Sequence, residues 1–212
     1  MKHPDRRHFL SSVGIMAGAA AVLARTVTVS TPVPQGGWDM SWLDQLTGKH
    51  KQIFDLSDMD GLRVIMNWLD AHFTVYGLRH PDLNAVVGIG GHTFPINATD
   101  AMYQKYPIGQ LWSVTDPETG KPALRNIFVE GGKTPREQGA KVKALQARGT
   151  IFWQCNNALH GVSARIAEAI KQPEADIYPV LRGGLNPGVI LVPAHTMLVG
   201  LCQERGCTYE SV

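Results

Sequence analysis

Residues 151–163 read IFWQCNNALHGVS, and this stretch determines the fold expected for the whole chain. Its apolar beginning predicts a strand over residues 150–155. The apolar residues that follow at helical spacing, over residues 159–169, predict an amphipathic helix directly after it. Cys155 therefore lies where a strand is followed by a helix, and such strand–helix pairs are the units from which parallel sheets are built.

The same alternation of strands and helices runs along most of the chain. Strands are predicted over residues 51–56, 83–90, 111–114, 150–155, 188–194 and 207–212. Helices are predicted over residues 61–76, 100–106, 134–148 and 196–205, together with the helix after Cys155 whose apolar face runs over residues 159–169. The third of these helices opens with a capping box, Thr134-Pro135-Arg136-Glu137. This order predicts an α/β protein with a three-layer, flavodoxin-like fold, in which helices cover both faces of a mostly parallel central sheet.

The first 24 residues are interpreted as a signal peptide. Lys2, Arg6 and Arg7 precede an apolar stretch of sixteen residues, 9–24, which is too short to span a bilayer comfortably. The run R-R-H-F-L resembles a twin-arginine export signal, and the small residues ending at Ala24 form a cleavage site. The alternative is an uncleaved amphipathic anchor. We expect a periplasmic protein with no stable membrane insertion after the signal is removed.

Composition limits the possible partners and the number of domains. Removing residues 1–24 takes away three of the 20 basic and one of the 18 acidic residues, which leaves 17 of each in 188 residues. A chain without excess positive charge does not suggest a nucleic-acid partner. We expect a linker and a short Trp-rich segment over residues 25–49, with Trp38 and Trp42 on one helical face. A single domain follows over residues 50–212.

Candidate site residues follow the ends of the predicted strands, because ligands of open α/β sheets bind outside the carboxyl ends of the strands. The residues at these positions are Asp55, Ser57, Asp58, Gly90, Gly91, His92, Cys155, Asn156, Asn157, Pro193 and His195.

Cys155 is the leading candidate for a nucleophile. Unpaired N–H groups at a helix N-terminus favour an anion, and the thiolate is the reactive form of cysteine. Asn156 or Asn157 could cap the helix and supply a donor, while His92 and His195 could move a proton. In the alternative interpretation Cys155 ends a buried strand as a small apolar residue, and the histidines are structural.

Other kinds of site have less support. Cys155, His92 and His195 would suit zinc or copper, but the sequence has neither C-x-x-C nor H-x-x-x-H spacing. GIGGHT lacks the third glycine of a dinucleotide fingerprint, and the absence of G-x-S-x-G argues against an α/β-hydrolase. We therefore predict no cofactor.

The three cysteines leave at least one thiol unpaired within a chain. Cys202 and Cys207 could form a disulfide only if the chain turns back sharply at Gly206. The sequence therefore leaves two possibilities for these residues: a disulfide between them, or two buried and inert thiols.

The arrangement T-I-F-W-Q-C-N-N-A-L-H-G and the ending G-V-I-L-V-P-A … Q-E-R-G-C-T-Y-E-S-V resemble the DsrE/DsrF-like family of sulfur-relay proteins, over roughly residues 50–212. The similarity is greatest to the exported branch of that family. It implies a parallel α/β fold and homo-oligomers, trimers or larger. Sulfur-carrying members hold a persulfide on a cysteine at the strand-to-helix junction and pass it to a partner; Cys155 falls on that position. Relatives without this cysteine serve as structural or partner subunits.

Two functional hypotheses follow, and whether the protein is an enzyme stays open between them. The first is a periplasmic sulfur carrier or sulfurtransferase with Cys155, Asn156, His92 and His195 at its site and a sulfur donor or acceptor protein thiol as its partner. The alternative is a non-catalytic oligomeric binding or structural module that holds a small anion or metal, with Cys155 packed inside. Accessibility of Cys155 distinguishes them.

Overall fold

The computed structural model of the chain describes residues 36–212. The predicted signal peptide over residues 1–24, and the linker as far as residue 35, lie outside the described residues. Among the helices of the described part, we find none with the length and apolar character needed to cross a membrane.

Within residues 36–212, five strands form one sheet, and every neighbouring pair in it is parallel. The predicted α/β fold with a parallel central sheet is therefore confirmed. Along the sheet the strands lie in the order β4-β3-β2-β1-β5. The strands are His50–Leu56 (β1), Leu83–Ile89 (β2), Ile151–Cys155 (β3), Val189–Val192 (β4) and Thr208–Ser211 (β5).

In the part of the chain that the structure describes, eight α-helices connect or follow these strands. They are Leu62–Tyr76 (α1), Asp100–Lys105 (α2), Ile108–Leu111 (α3), Pro135–Gly139 (α4), Val142–Ala147 (α5), Asn156–Ile170 (α6), Glu174–Gly183 (α7) and His195–Glu204 (α8). Short 3-10 helices occupy Ser41–Gln45, Met59–Gly61 and Phe94–Ile96.

Side chains on alternate positions of the strands build a core on each face of the sheet. On one face, residues of β1, β2 and β3 pack against α1 and α5; these strand residues are Phe54, Val87 and Phe152. On the other face, α8 and the 3-10 helix Ser41–Gln45 cover Ile53, Val86 and Trp153. Part of the predicted Trp-rich segment thus belongs to the domain, with the rings of Trp42 and Trp153 5.9 Å apart.

The connections that follow β3 and β4 lie on opposite faces of the sheet. Helix α6 packs on the face of Leu191, whereas α8, which crosses the sheet from β4 to β5, packs on the face of Ile190 and Val192. The carboxyl ends of β3 and β4 therefore flank a switch point, where open α/β sheets bind ligands.

The predicted strand over residues 111–114 is wrong. Residue 111 ends α3, and Ser113 has a positive φ of 56°, which an extended strand does not allow. The N–H of Val114 bonds to the carbonyl of Gly109 instead of to a neighbouring strand, at 2.8 Å. This segment therefore closes a turn after the short helix.

The helix predicted over residues 134–148 is divided into α4 and α5. Its capping box is present, with the N–H of Glu137 bonded to Thr134 Oγ1 at 3.2 Å. The break falls at Lys141, which has an extended backbone and whose ammonium group donates to the carbonyl of Ile127 at 2.6 Å. Tertiary contacts with the preceding loop thus override a continuous helical pattern.

Two further differences concern helices. Helix α7 was not predicted, because Pro179 lies inside it and interrupts the sequence pattern of a helix. The apolar residues at helical spacing from Ile65 to Tyr76 predict a buried stripe on α1, with His72 in the core. The stripe is buried only in its first part, since Phe73 is 44% and Tyr76 68% exposed. His72 is partly buried, and its Nδ1 lies 3.0 Å from the carbonyl oxygen of Trp68.

Candidate functional site

Cys155 ends β3 and is also the residue that caps α6. Its backbone is extended (φ −72°, ψ 121°), and its sulfur accepts a hydrogen bond from the N–H of Ala158 at 3.4 Å. A side-chain acceptor in this position satisfies one of the free donors of the first helical turn. The predicted caps, Asn156 and Asn157, are therefore replaced in that role by the cysteine itself.

A second helix also directs its N-terminus at the same sulfur. The N–H of His195, the first residue of α8, donates to Cys155 Sγ at 3.2 Å. The loop before α8 is held beside α6 by a bond from the N–H of Asn157 to the carbonyl of Pro193, at 3.3 Å. Because both donors belong to helix N-termini, the fields of two helices favour negative charge on this one atom.

The ring of His195 is held by two neighbours. Trp153 Nε1 donates to His195 Nδ1 at 3.2 Å, which requires a lone pair on Nδ1 and assigns the proton of the neutral ring to Nε2. That Nε2 lies 2.9 Å from Asp55 Oδ1. Since Nε2 is buried and forms no well-aligned hydrogen bond, the contact with Asp55 is mainly electrostatic.

Gly88 in β2 provides the space for this ring. A Cβ atom placed on Gly88 would lie 2.5 Å from His195 Cε1 and 2.8 Å from Trp153 Cζ2. Both distances are well below van der Waals contact. A glycine inside a buried central strand is otherwise unfavourable, and close approach of another group is one reason for it.

Asp55 connects the site to the edge strand β5. Its Oδ2 accepts a hydrogen bond from the hydroxyl of Tyr209 in β5, at 2.8 Å. A chain of polar contacts therefore runs from Tyr209 through Asp55 and His195 to Trp153. The backbone of His195 links this chain to the sulfur of Cys155.

The Tyr209–Asp55 contact leads to a testable pH dependence. The hydrogen bond to Asp55, with smaller contributions from burial and from the carboxylate charge, holds the pKa of Tyr209 above its ordinary value of 10.0. Stability from this contact is therefore complete below the unfolded pKa and is lost as the pH rises through the folded one. We expect the phenolate absorbance of Tyr209, isolated as the difference between wild type and Tyr209→Phe, to appear at higher pH than in Asp55→Asn. Equal midpoints would contradict this assignment.

Three other predicted groups do not contact the thiol of Cys155: the side chains of Asn156 and His92 and the ring of His195. The side-chain oxygen of Asn156 accepts a bond from the hydroxyl of Tyr178 in α7, at 2.5 Å, so it faces a neighbouring helix. His92 is exposed, and across residues 36–212 its ring takes part in no hydrogen bond or ion pair. Both nitrogens of His195 are engaged by other side chains, so its contact with Cys155 is through the backbone.

The metal alternative is not supported by this arrangement. Within the described part of the chain, no group of three or more His, Cys, Asp and Glu side chains is placed to hold a metal ion. Cys155, His92 and His195 thus do not converge as ligands.

Three residues of the site were not predicted from the sequence: Gly88, Trp153 and Tyr209. Asp55 was predicted only as a residue at the end of a strand. Two signals were available in the sequence. Trp153 lies two positions before Cys155 in the same strand, so its side chain must point to the same face. Gly88 interrupts a buried apolar strand, which often marks a close approach. Tyr209 gave no comparable signal.

No family model matches this sequence, and no curated protein matches it. The resemblance to the DsrE/DsrF-like family therefore remains a prediction.

Proposed function

We propose that the protein is a sulfur carrier that holds a sulfane sulfur on Cys155 as a persulfide. The observation that supports this function is the pair of backbone donors, Ala158 N–H and His195 N–H, 3.4 and 3.2 Å from one sulfur atom. Two helix N-termini directed at one thiol favour a negatively charged sulfur species without a fixed cation.

The proposed reaction has two exchanges at sulfur. The Cys155 thiolate attacks the outer sulfur of thiosulfate, and a new S–S bond forms. The old S–S bond breaks, and sulfite leaves with the bonding electron pair. The thiolate of a partner protein then attacks the outer sulfur of the persulfide, which transfers that sulfur and returns Cys155 as a thiolate. Neither exchange needs an external oxidant or reductant.

His195 is proposed as a positioning residue. Its ring, fixed by Trp153 and Asp55, holds the first residue of α8, whose N–H donates to Cys155. This role differs from the proton transfer predicted from the sequence. It explains why a buried tryptophan and a carboxylate converge on a ring that does not itself bond to the sulfur.

A second candidate is supported by the burial of Cys155, which is only 4% exposed. In that case the domain is a non-catalytic module, and Cys155 serves as a helix cap packed inside. The same contacts satisfy both functions in the resting state. Reaction with small sulfur compounds distinguishes them.

The test is mass spectrometry of the protein after brief exposure to thiosulfate or polysulfide. We expect the peptide that contains Cys155 to gain whole sulfur atoms that a reductant removes, and the corresponding peptide of Cys155→Ser to gain none. Cys202→Ser is the matched control, because it removes another buried thiol and should leave the modification intact. A Cys155 that stays inert to these compounds and to small alkylating reagents would favour the module.

A further inference from the structure

The end of α8 brings two other cysteines together. The helix ends at Glu204, and Gly206 has a positive φ of 82°, which turns the chain back on itself. The N–H of Cys207 bonds to the carbonyl of Cys202 at 3.1 Å, and that of Gly206 bonds to the carbonyl of Gln203 at 2.8 Å. This pair of bonds is a Schellman motif, in which the side chains of the residues at positions 202 and 207 characteristically meet.

Cys202 and Cys207 are free, pack in the same apolar cluster and are buried, with exposed fractions of 0% and 6%. A hydrogen-bonding interaction with Cys207 and burial raise the pKa of Cys202. The same interaction lowers the pKa of Cys207; burial opposes this shift, and the nearby charges of Lys51 and Arg205 support it. Cys207 is therefore the better candidate for the attacking thiolate, with Cys202 as the thiol beside it.

The location of the pair separates it from the site at Cys155. His195 and Cys202 are seven residues apart in one helix, which corresponds to roughly 10 Å at about 1.5 Å per residue. A direct exchange between Cys202 and Cys155 is therefore not built into this structure. Cys207 directly precedes β5, whose four residues are all exposed at the edge of the sheet.

We propose that Cys202 and Cys207 form a dithiol–disulfide site that reacts with small disulfides such as oxidised glutathione. The Cys207 thiolate attacks one sulfur of glutathione disulfide, and the first glutathione thiolate leaves. The sulfur of Cys202 then attacks the sulfur of Cys207 and forms the new S–S bond. The bond between Cys207 and glutathione breaks, and the departing glutathione thiolate takes the proton of Cys202. The protein dithiol is oxidised, and one glutathione disulfide is reduced to two glutathione thiols. This inference does not rest on the function proposed for Cys155.

The experiment uses the full chain with Cys155→Ser, so that only these two thiols remain. The folded protein is equilibrated with glutathione mixtures of increasing oxidising power, quenched with acid, unfolded and alkylated. We expect the product to lose two hydrogens and to carry no alkyl groups, with one peptide link between positions 202 and 207. Cys202→Ala in the same background should give only a mixed disulfide with glutathione on Cys207. Two alkylated thiols in every mixture would overturn the proposal.

A charge variant tests the role of the surroundings. Lys51→Gln removes a cation close to Cys207, and should slow the formation of the disulfide by about threefold at neutral pH. Lys49→Gln, an exposed lysine two residues away, is the matched control and should leave the rate unchanged. Equal rates in the two variants would show that Lys51 does not activate Cys207, and would overturn that part of the proposal.

Discussion

Replacing Gly88 by alanine is expected to lower the free energy of unfolding by about 1–3 kcal/mol, the usual cost of overfilling a packed core. The added methyl group would lie 2.5 Å from His195 Cε1 and 2.8 Å from Trp153 Cζ2. Neither ring can yield easily. Trp153 is completely buried, and His195 is held between Trp153 and Asp55.

Gly90→Ala provides the control for this prediction. Gly90 lies two residues further along the same segment, and a Cβ there would contact nothing within 4 Å. Its effect on stability should stay within about 0.5 kcal/mol. Urea unfolding of both variants measures the difference between their free energies of unfolding. A Gly88→Ala protein as stable as Gly90→Ala would mean that the ring of His195 is not held against β2.

The same pair of variants also bears on the proposed function. If the His195 ring positions the N–H that donates to Cys155, displacing the ring should reduce the yield of persulfide in Gly88→Ala but not in Gly90→Ala. A Gly88→Ala protein that is destabilised yet forms persulfide normally would limit His195 to a structural role.

Local pattern was sufficient to predict the layers of the fold and the position of Cys155. The apolar run before it and the helical spacing after it depend on neighbouring residues only. The alternation of such units along the chain then requires a parallel sheet. The prediction failed at residues 111–114 and 141, where contacts with distant segments determine the backbone.

The rest of the site depends on strand order, which local sequence does not contain. Asp55 and Tyr209 are 154 residues apart, and they meet only because β5 pairs with β1. His195 follows β4, yet its ring lies over Gly88 of β2 because α8 crosses the sheet. Each residue could be noted singly at a strand end, but their contacts could not be predicted.

The second large effect on the free energy of unfolding is expected for substitutions of Cys155. Cys155→Ala should be about 2 kcal/mol less stable than Cys155→Ser, because alanine offers no acceptor to two backbone N–H groups. One is the capping bond from Ala158, for which the loss of a side-chain acceptor typically costs about 1 kcal/mol. The other is the bond from His195, and an unsatisfied buried donor costs about 1–3 kcal/mol.

This comparison separates the structural role of the sulfur from its chemistry. Serine is a good N-cap and keeps an oxygen acceptor for both donors, so Cys155→Ser should fold well while losing all persulfide formation. Urea unfolding at neutral pH measures the difference between the free energies of unfolding of the two variants.

The comparison of Cys202→Ala with Cys202→Ser is the control, since no backbone N–H is bonded to the sulfur of Cys202 within residues 36–212. Equal stabilities of Cys155→Ala and Cys155→Ser would mean that the helix N-termini do not depend on this acceptor, and the anion site proposed around Cys155 would lose its physical basis.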